Sequence, residues 1–287
     1  MKIKSVVKKI IPNSLKQKIK REIGSTTEYT LRLTEQKRFD QKKVFVTGGS
    51  GALGSAICFR LAMEGAIVGV CGRRLDKIQI VIDNIVKNGG TAVPVILDVN
   101  DEQSMANGIN NFCKEYGTLD VLINNAGGSA RGNAKMFEEQ DYSVIQNVIA
   151  TNLNGTMLCT HYALTNMNPN GGRIISMSSV VGMQGKNGMT DYAASKAGIV
   201  GFTRSLAVEL GKKNITVNCV SPGWVHQAVF DKGQETMKLN VNALGHSGKA
   251  DDVASLVAFL ASDEAGYITG QNIVIDGGRS LGLWGDN

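Results

Sequence analysis

The sequence predicts an α/β fold, a doubly wound parallel sheet of seven strands with helices on both faces. Three observations predict it. From Lys43 onward, apolar runs of strand length alternate with stretches of helical period. A glycine-rich turn, Thr47-Gly48-Gly49-Ser50-Gly51-Ala52-Leu53-Gly54, joins the first run to the first helical stretch. The 34 glycines far outnumber the four prolines, and many fall where an apolar run ends and a helical pattern starts, as tight strand-to-helix turns require.

The elements follow in order. Val44–Thr47 reads as the first strand, Ala52–Glu64 as a helix, Ala66–Cys71 as the second strand and Leu75–Asn88 as a helix. Ala92–Leu97 is the third strand, Asp101–Tyr116 a helix and Leu119–Ile123 the fourth strand. One long helix is expected over Tyr142–Asn166, then a strand at Arg173–Met177, a helix at Asp191–Leu210 and a strand at Thr216–Val220. After an irregular stretch, Trp224–Lys249, the chain closes with a helix at Asp251–Leu260 and a strand at Asn272–Ile275.

With 43% hydrophobic and 20% charged residues, the chain has the composition of a globular protein with one substantial core. Its five cysteines, Cys58, Cys71, Cys113, Cys159 and Cys219, are widely spaced, without a Cys-x-x-Cys pair or a histidine cluster. This points to a reducing, cytoplasmic setting and to neither a metal site nor a disulfide framework. No apolar stretch approaches bilayer length, and no signal-peptide core is present.

The net charge of +6 is unevenly placed: residues 1–43 carry 13 Lys/Arg against Glu22, Glu28, Glu35 and Asp40, and the remainder is mildly acidic. A nucleic-acid surface on the body is therefore not expected. Residues 1–42 read as a basic amphipathic extension and residues 43–287 as a single dinucleotide-binding catalytic domain. In the extension, Ile3, Val6, Val7, Ile10 and Ile11 keep helical spacing, Pro12-Asn13-Ser14 interrupts, and Leu15, Ile19 and Ile23 resume it among basic residues. One reading packs this segment on its own subunit; the other lays residues 1–23 on an anionic membrane surface or a partner protein.

The glycine turn lies where a dinucleotide fingerprint belongs, with Gly48, Gly51 and Gly54 allowing backbone to approach a pyrophosphate at a helix N-terminus. Ser50 and Leu53 share the turn. At the end of the second strand, where an acidic residue would accept bonds from an adenosine ribose, Gly72 stands before Arg73 and Arg74. A guanidinium there favours NADP(H) over NAD(H), by pairing with a 2′-phosphate. The plainer reading has both arginines opening the next helix on a solvated face.

Tyr192-Ala193-Ala194-Ser195-Lys196 sets a phenol and an ammonium four residues apart, on one face of a helix. A nearby cation favours the phenolate and makes tyrosine a usable acid/base. With these residues stand Asp98-Val99 after the third strand, Asn124-Asn125-Ala126-Gly127 after the fourth, and Asn152 in the long helix. Ser178-Ser179 follows the fifth strand, Pro222-Gly223 the sixth, and Gly270-Gln271 through Asp276-Gly277-Gly278 closes the chain.

Together these motifs, in this order from Lys43 to Gly278, resemble the short-chain dehydrogenase/reductase family, in its one-domain branch that includes 3-oxoacyl-thioester reductases. The resemblance implies a Rossmann-type fold and direct hydride transfer between NADP(H) and a small-molecule carbonyl or alcohol substrate. It implies that Tyr192 is the acid/base, that Ser179 bonds the substrate oxygen with Ser178 structural, and that Lys196 lowers the Tyr192 pKa and bonds the nicotinamide ribose. Asn152 would hold a water in the proton relay. Asp98 would meet the adenine, and Val99, Asn124, Asn125, Ala126, Gly127, Pro222, Gly223 and Val225 would line the cofactor. A homodimer or homotetramer through the long helix and the Tyr/Lys helix is also implied.

The match departs from the family pattern in two places. Ala52 stands where the short branch has its middle glycine, and the spacing of Gly48, Gly51 and Gly54 also fits the extended branch. The nine residues after Gly278 and the Asn-Asn-Ala-Gly turn favour the short branch. Gln227 stands where a threonine usually meets the nicotinamide, in a span expected to cover the substrate that also carries His226, Lys232, Lys238 and His246. An alternative of a different class is a cofactor-binding regulator or scaffold on the same fold with little chemistry.

Overall fold

The structure is a computed structural model that describes residues 37–129, 134–225 and 242–281. Seven strands form one sheet: β1 (Lys43–Val46), β2 (Ile67–Gly72), β3 (Thr91–Ile96), β4 (Val121–Asn124), β5 (Gly172–Met177), β6 (Ile215–Pro222) and β7 (Asn272–Ile275). Their order across the sheet is β3-β2-β1-β4-β5-β6-β7 and every pairing is parallel. The expected Rossmann-type doubly wound sheet is therefore present.

Burial explains why these runs are continuous. All eight residues of β6 are buried, as a strand covered on both faces requires. The edge strand β3 instead buries only Ala92 and Val95, and its Pro94 is tolerated because an edge can spare a ladder bond. Within β1, Val44 and Val46 join one apolar cluster and Phe45 the other.

On the first face lie α1 (Ala52–Met63), α2 (Leu75–Lys87) and α8 (Ala250–Ala261). The second face is packed by α3 (Glu102–Tyr116), α5 (Gly155–Leu164) and α7 (Thr190–Leu210). The chain leaves β1 toward β2 and β3, then returns to β4 on the other side. That reversal opens a crevice beyond the carboxyl ends of β1 and β4, where ligands of such sheets bind.

The single helix expected over Tyr142–Asn166 is a correction. It consists of α4 (Tyr142–Ile149), a π-helical turn at Ala150–Asn154, and α5, which stops at Leu164. The extra residue of a π-turn rotates the side chains after it, and here it turns Asn152 fully inward. A short α6 (Val181–Gln184) after β5 was not foreseen. The sixth strand also runs longer than expected, from Ile215 to Pro222.

Residues 37–42, the end of the basic extension, pack onto the body: Phe39 is buried in the first cluster and Arg38 pairs with Glu64. Residues 1–23, with their two readings, lie outside the described residues, as do Gln227, His226, Lys232 and Lys238. No helix among the described residues is long and apolar enough to cross a membrane. No group of three or more His, Cys, Asp or Glu among them could hold a metal ion, and the five cysteines are free thiols.

Candidate active site

Two linked clefts occupy the crevice. The first, about 560 Å³, is lined by the turn Gly48–Gly54, by Asn125 to Gly127, and by Ser179, Tyr192, Lys196, Pro222, Gly223 and Val225. The second, about 720 Å³, runs along Ser50, Arg73, Asp98 and Val99. Gly48, Ala126, Gly127 and Gly128 line both, so they form one continuous groove.

The turn is fixed from β4. Thr47 Oγ1 accepts bonds from the amides of Asn125 (3.0 Å) and Ala126 (3.1 Å), while Asn125 Nδ2 donates to the carbonyls of Thr47 and Gly48, each at 3.0 Å. A Cβ on Gly54 would lie 2.2 Å from the Gly48 carbonyl oxygen, so only glycine lets the start of α1 approach the turn this closely. Gly51 caps α1 without a side-chain hydrogen bond, which leaves the first amides of the helix directed at the groove. Ala52 lines the same wall.

Asn124 is a second correction. It was expected to line the cofactor, but it is buried under the sheet, where its Nδ2 donates to Thr160 Oγ1 (2.9 Å) and Ser176 Oγ (3.3 Å). Asn125 is the member of that pair that faces the groove.

At the far end of the groove, Arg73 Nη1 stands 3.8 Å from Asp98 Oδ2 on the exposed rim. Gly72, at the end of β2, has no atom within 3.4 Å of where a Cβ would be, so an acidic residue would fit there and is not excluded by packing. A pyrophosphate-sized anion suits the glycine turn, and a further phosphate suits Arg73. The residues present thus fit a nicotinamide dinucleotide.

The other wall carries the polar set. Tyr192 and Lys196 share one face of α7, with Lys196 Nζ 5.7 Å from the Tyr192 ring centroid. Lys196 is only 4% exposed, and its Nζ donates to the Met177 carbonyl at 2.6 Å. Burial pushes its pKa down from 10.5 to about 8. Ser179 Oγ accepts the Val181 amide at 3.2 Å and faces the cleft, whereas Ser178 Oγ donates to the Lys196 carbonyl at 2.8 Å and serves the scaffold.

Asn152 sits behind this wall, fully buried. Its Oδ1 accepts the Gly128 amide at 2.8 Å, and its Nδ2 donates to the Gly128 carbonyl and to Ser195 Oγ, each at 3.0 Å. Gly127 has φ +152, and a Cβ there would meet Asn152 Oδ1 at 2.6 Å. Thr47, Gly128 and Ser195 are structural partners of the site that motif reading alone did not single out, although Thr47 and Ser195 lie inside the two motifs.

Comparison with known proteins agrees with this geometry. A family model described as enoyl-(acyl carrier protein) reductase matches residues 49–280. The chain is 37% identical over 249 residues to the 3-oxoacyl-[acyl-carrier-protein] reductase FabG of Thermotoga maritima, covering 84% of this chain and 98% of that protein. It is 35% identical over 241 residues to the (2S)-[(R)-hydroxy(phenyl)methyl]succinyl-CoA dehydrogenase subunit BbsD of Thauera aromatica, covering 82% and 95%. A short-chain dehydrogenase of Burkholderia cenocepacia, solved in complex with NADP, superposes with a TM-score of 0.79 at 33% identity, covering 85% of this chain and all of that one. The chain belongs to the short-chain dehydrogenase/reductase family and is an oxidoreductase that acts on CH–OH groups with NAD(P).

Proposed function

We propose that this enzyme interconverts a ketone and a secondary alcohol with NADP(H), that Tyr192 is its acid/base, and that 3-oxoacyl thioesters are its substrate class. The observation that carries the reading is the meeting of Tyr192, a buried Lys196 and Ser179 in one cleft with the glycine turn. Bound NADP(H) supplies or takes the hydride. Ser179 Oγ holds the substrate oxygen, and the Tyr192 phenol gives that oxygen a proton in reduction or removes it in oxidation. The Lys196 ammonium, beside the ring, favours the phenolate. Asn152 is a positioning residue, since it holds Gly128 and Ser195 and is itself fully buried.

Arg73, and the absence of an acid at Gly72, support NADP(H) over NAD(H). The acyl-carrier-protein and CoA compounds named for the relatives support a thioester substrate. Outward-facing Ala194, Ala197 and Gly201 leave one face of α7 flat enough to pack against a second copy, which supports a homo-oligomer through α7 and the α4–α5 unit.

The test is a fluorescence titration with NADPH and NADH, followed by turnover of 3-oxoacyl thioesters by Tyr192→Phe. NADPH is expected to bind more tightly, and Tyr192→Phe to lose about 10²–10⁴-fold in kcat while still binding NADPH. Tighter binding of NADH would reverse the cofactor assignment. An active Tyr192→Phe enzyme would remove the acid/base assignment.

A further inference from the structure

The groove and the acid/base set leave the basic segment at the start of the chain unused. Residues 1–23 carry eight Lys/Arg, from Lys2 to Arg21, against Glu22 alone. Apolar residues keep helical spacing among them, from Ile3 to Ile11 and again from Leu15 to Ile23. FabG and BbsD are matched over almost their whole lengths by 84% and 82% of this chain, and the family model starts at residue 49. The segment is therefore additional to the fold that these proteins share.

The structure fixes where the segment meets the body. Phe39 is buried, its amide donates to the Glu64 carbonyl at 2.9 Å, and the Gln41 amide donates to the Gly65 carbonyl at 3.1 Å. With the ion pair between Arg38 and Glu64, these bonds hold residues 38–41 against the end of α1, at the amino edge of the sheet. The groove and the acid/base set lie at the carboxyl edge.

That amino edge is itself basic. Where helices turn back into strands, Lys87 lies in the last turn of α2, Lys114 in the last turn of α3, and Lys212 and Lys213 in the short turn between α7 and β6, all exposed. Lys37 adds a fifth exposed cation. Of the exposed acids there, Glu264 pairs with Arg38 at 3.4 Å and Asp263 with Arg173 at 3.2 Å. Among the described residues, Asp40, Glu115 and Glu209 are then set against the five lysines.

An anionic bilayer answers both properties of the segment at once. Its headgroups attract the basic residues, each of which raises the affinity about fivefold when close to the surface. The acyl boundary takes up the apolar side chains between them. A nucleic acid answers the charges but leaves the apolar residues in water.

We propose that residues 1–23 bind the surface of an anionic bilayer and that the basic amino edge of the body faces it. The cofactor groove, at the opposite edge, stays open to the aqueous phase. The enzyme is thereby held at a membrane without its groove being covered.

The test is sedimentation of the full chain with two kinds of vesicle, phosphatidylcholine alone and phosphatidylcholine mixed with phosphatidylglycerol. Affinity for the mixed vesicles is expected to be at least about tenfold higher, and to fall as salt is raised. Lys8→Gln, Lys9→Gln and Lys20→Gln together remove charge from the segment, whereas Ile10→Asp with Ile19→Asp places charge among its apolar residues. Each set is expected to weaken binding at least about tenfold. Lys212→Glu with Lys213→Glu reverses charge on the folded edge and is expected to weaken it at least about threefold. NADPH affinity, read on the same samples, should stay within about twofold throughout, because none of the substituted residues lines the groove. None of these readouts needs turnover, so they stand whether or not Tyr192 carries the reaction.

Equal affinity for both kinds of vesicle overturns the proposal, as does undiminished binding by either set of substitutions in residues 1–23. Sedimentation with neither vesicle also overturns it and makes a partner protein the occupant of the segment. Undiminished binding after Lys212→Glu with Lys213→Glu overturns the orientation.

Discussion

Lys196 shows how one residue links stability to chemistry. Its ammonium is almost wholly desolvated, so its pKa falls from 10.5 to about 8. Between those values the unfolded chain holds a proton that the folded chain has released, and stability therefore rises with pH across this window. Below about pH 8 the cost of the buried charge is present in full. It amounts to roughly 3 kcal/mol from the size of the shift. Lys196→Met is accordingly expected to raise the Tm at pH 7, with the gain shrinking as pH approaches 10.5, while turnover is lost. Thermal melts across this range check it, and a Tm at pH 7 equal to or below that of the parent protein would show that the burial cost is offset by the bond to the Met177 carbonyl.

At the scale of elements, the turn between β1 and α1 decides whether the groove exists. A methyl group on Gly54 would lie 2.2 Å from the Gly48 carbonyl oxygen and 2.7 Å from Asn125 Nδ2, so Gly54→Ala must displace the turn or the β4 loop that clasps it. The expected outcome is a loss of about 1–3 kcal/mol of stability, together with NADPH binding weakened at least about tenfold. Calorimetry and titration measure the two, and unchanged binding would mean that the turn gives way without moving its amides. This turn was legible in the sequence because its glycines follow an apolar run and open a helical one. The strands were legible for the same reason, since parallel strands covered on both faces are uninterrupted apolar runs. The π-turn at Ala150–Asn154 was not, because one inserted residue leaves the apolar period over Tyr142–Leu164 almost unaltered. Asn124 and Asn125 were also inseparable by spacing. Only the pleat decides that the first points between Thr160 and Ser176 and the second toward the carbonyls of the glycine turn.

For the whole molecule, parallel strands separate two edges of the sheet with different tasks. The carboxyl edge carries the groove, and the amino edge carries a buried charge cluster. There Glu64, at the end of α1 and 2% exposed, accepts bonds from Arg38 Nε at 2.6 Å and from Arg60 Nε. Arg60 Nη1 also donates to Ser255 Oγ of α8 at 2.9 Å, and Arg38 Nη1 reaches Glu264 at 3.4 Å. The hydrogen bonds to Glu64 raise the pKa of Arg38, so this carboxylate is what makes its partly buried guanidinium tolerable. Through its two arginine partners, this side chain thus links the entering segment at residues 37–42 and the end of α1 with the middle of α8 and the turn that follows it. Glu64→Ala leaves two guanidinium groups without their common partner and is expected to cost about 3–5 kcal/mol. In a chain of this size that lowers the Tm by ~10 °C. Because the cluster lies at the opposite edge from the groove, the NADPH dissociation constant of the folded variant should stay within about twofold of the parent value. Calorimetry paired with titration separates the two effects. A weakened cofactor affinity at temperatures where Glu64→Ala remains folded would show that the amino edge transmits strain along α1 to the glycine turn, and that the two edges are one cooperative unit.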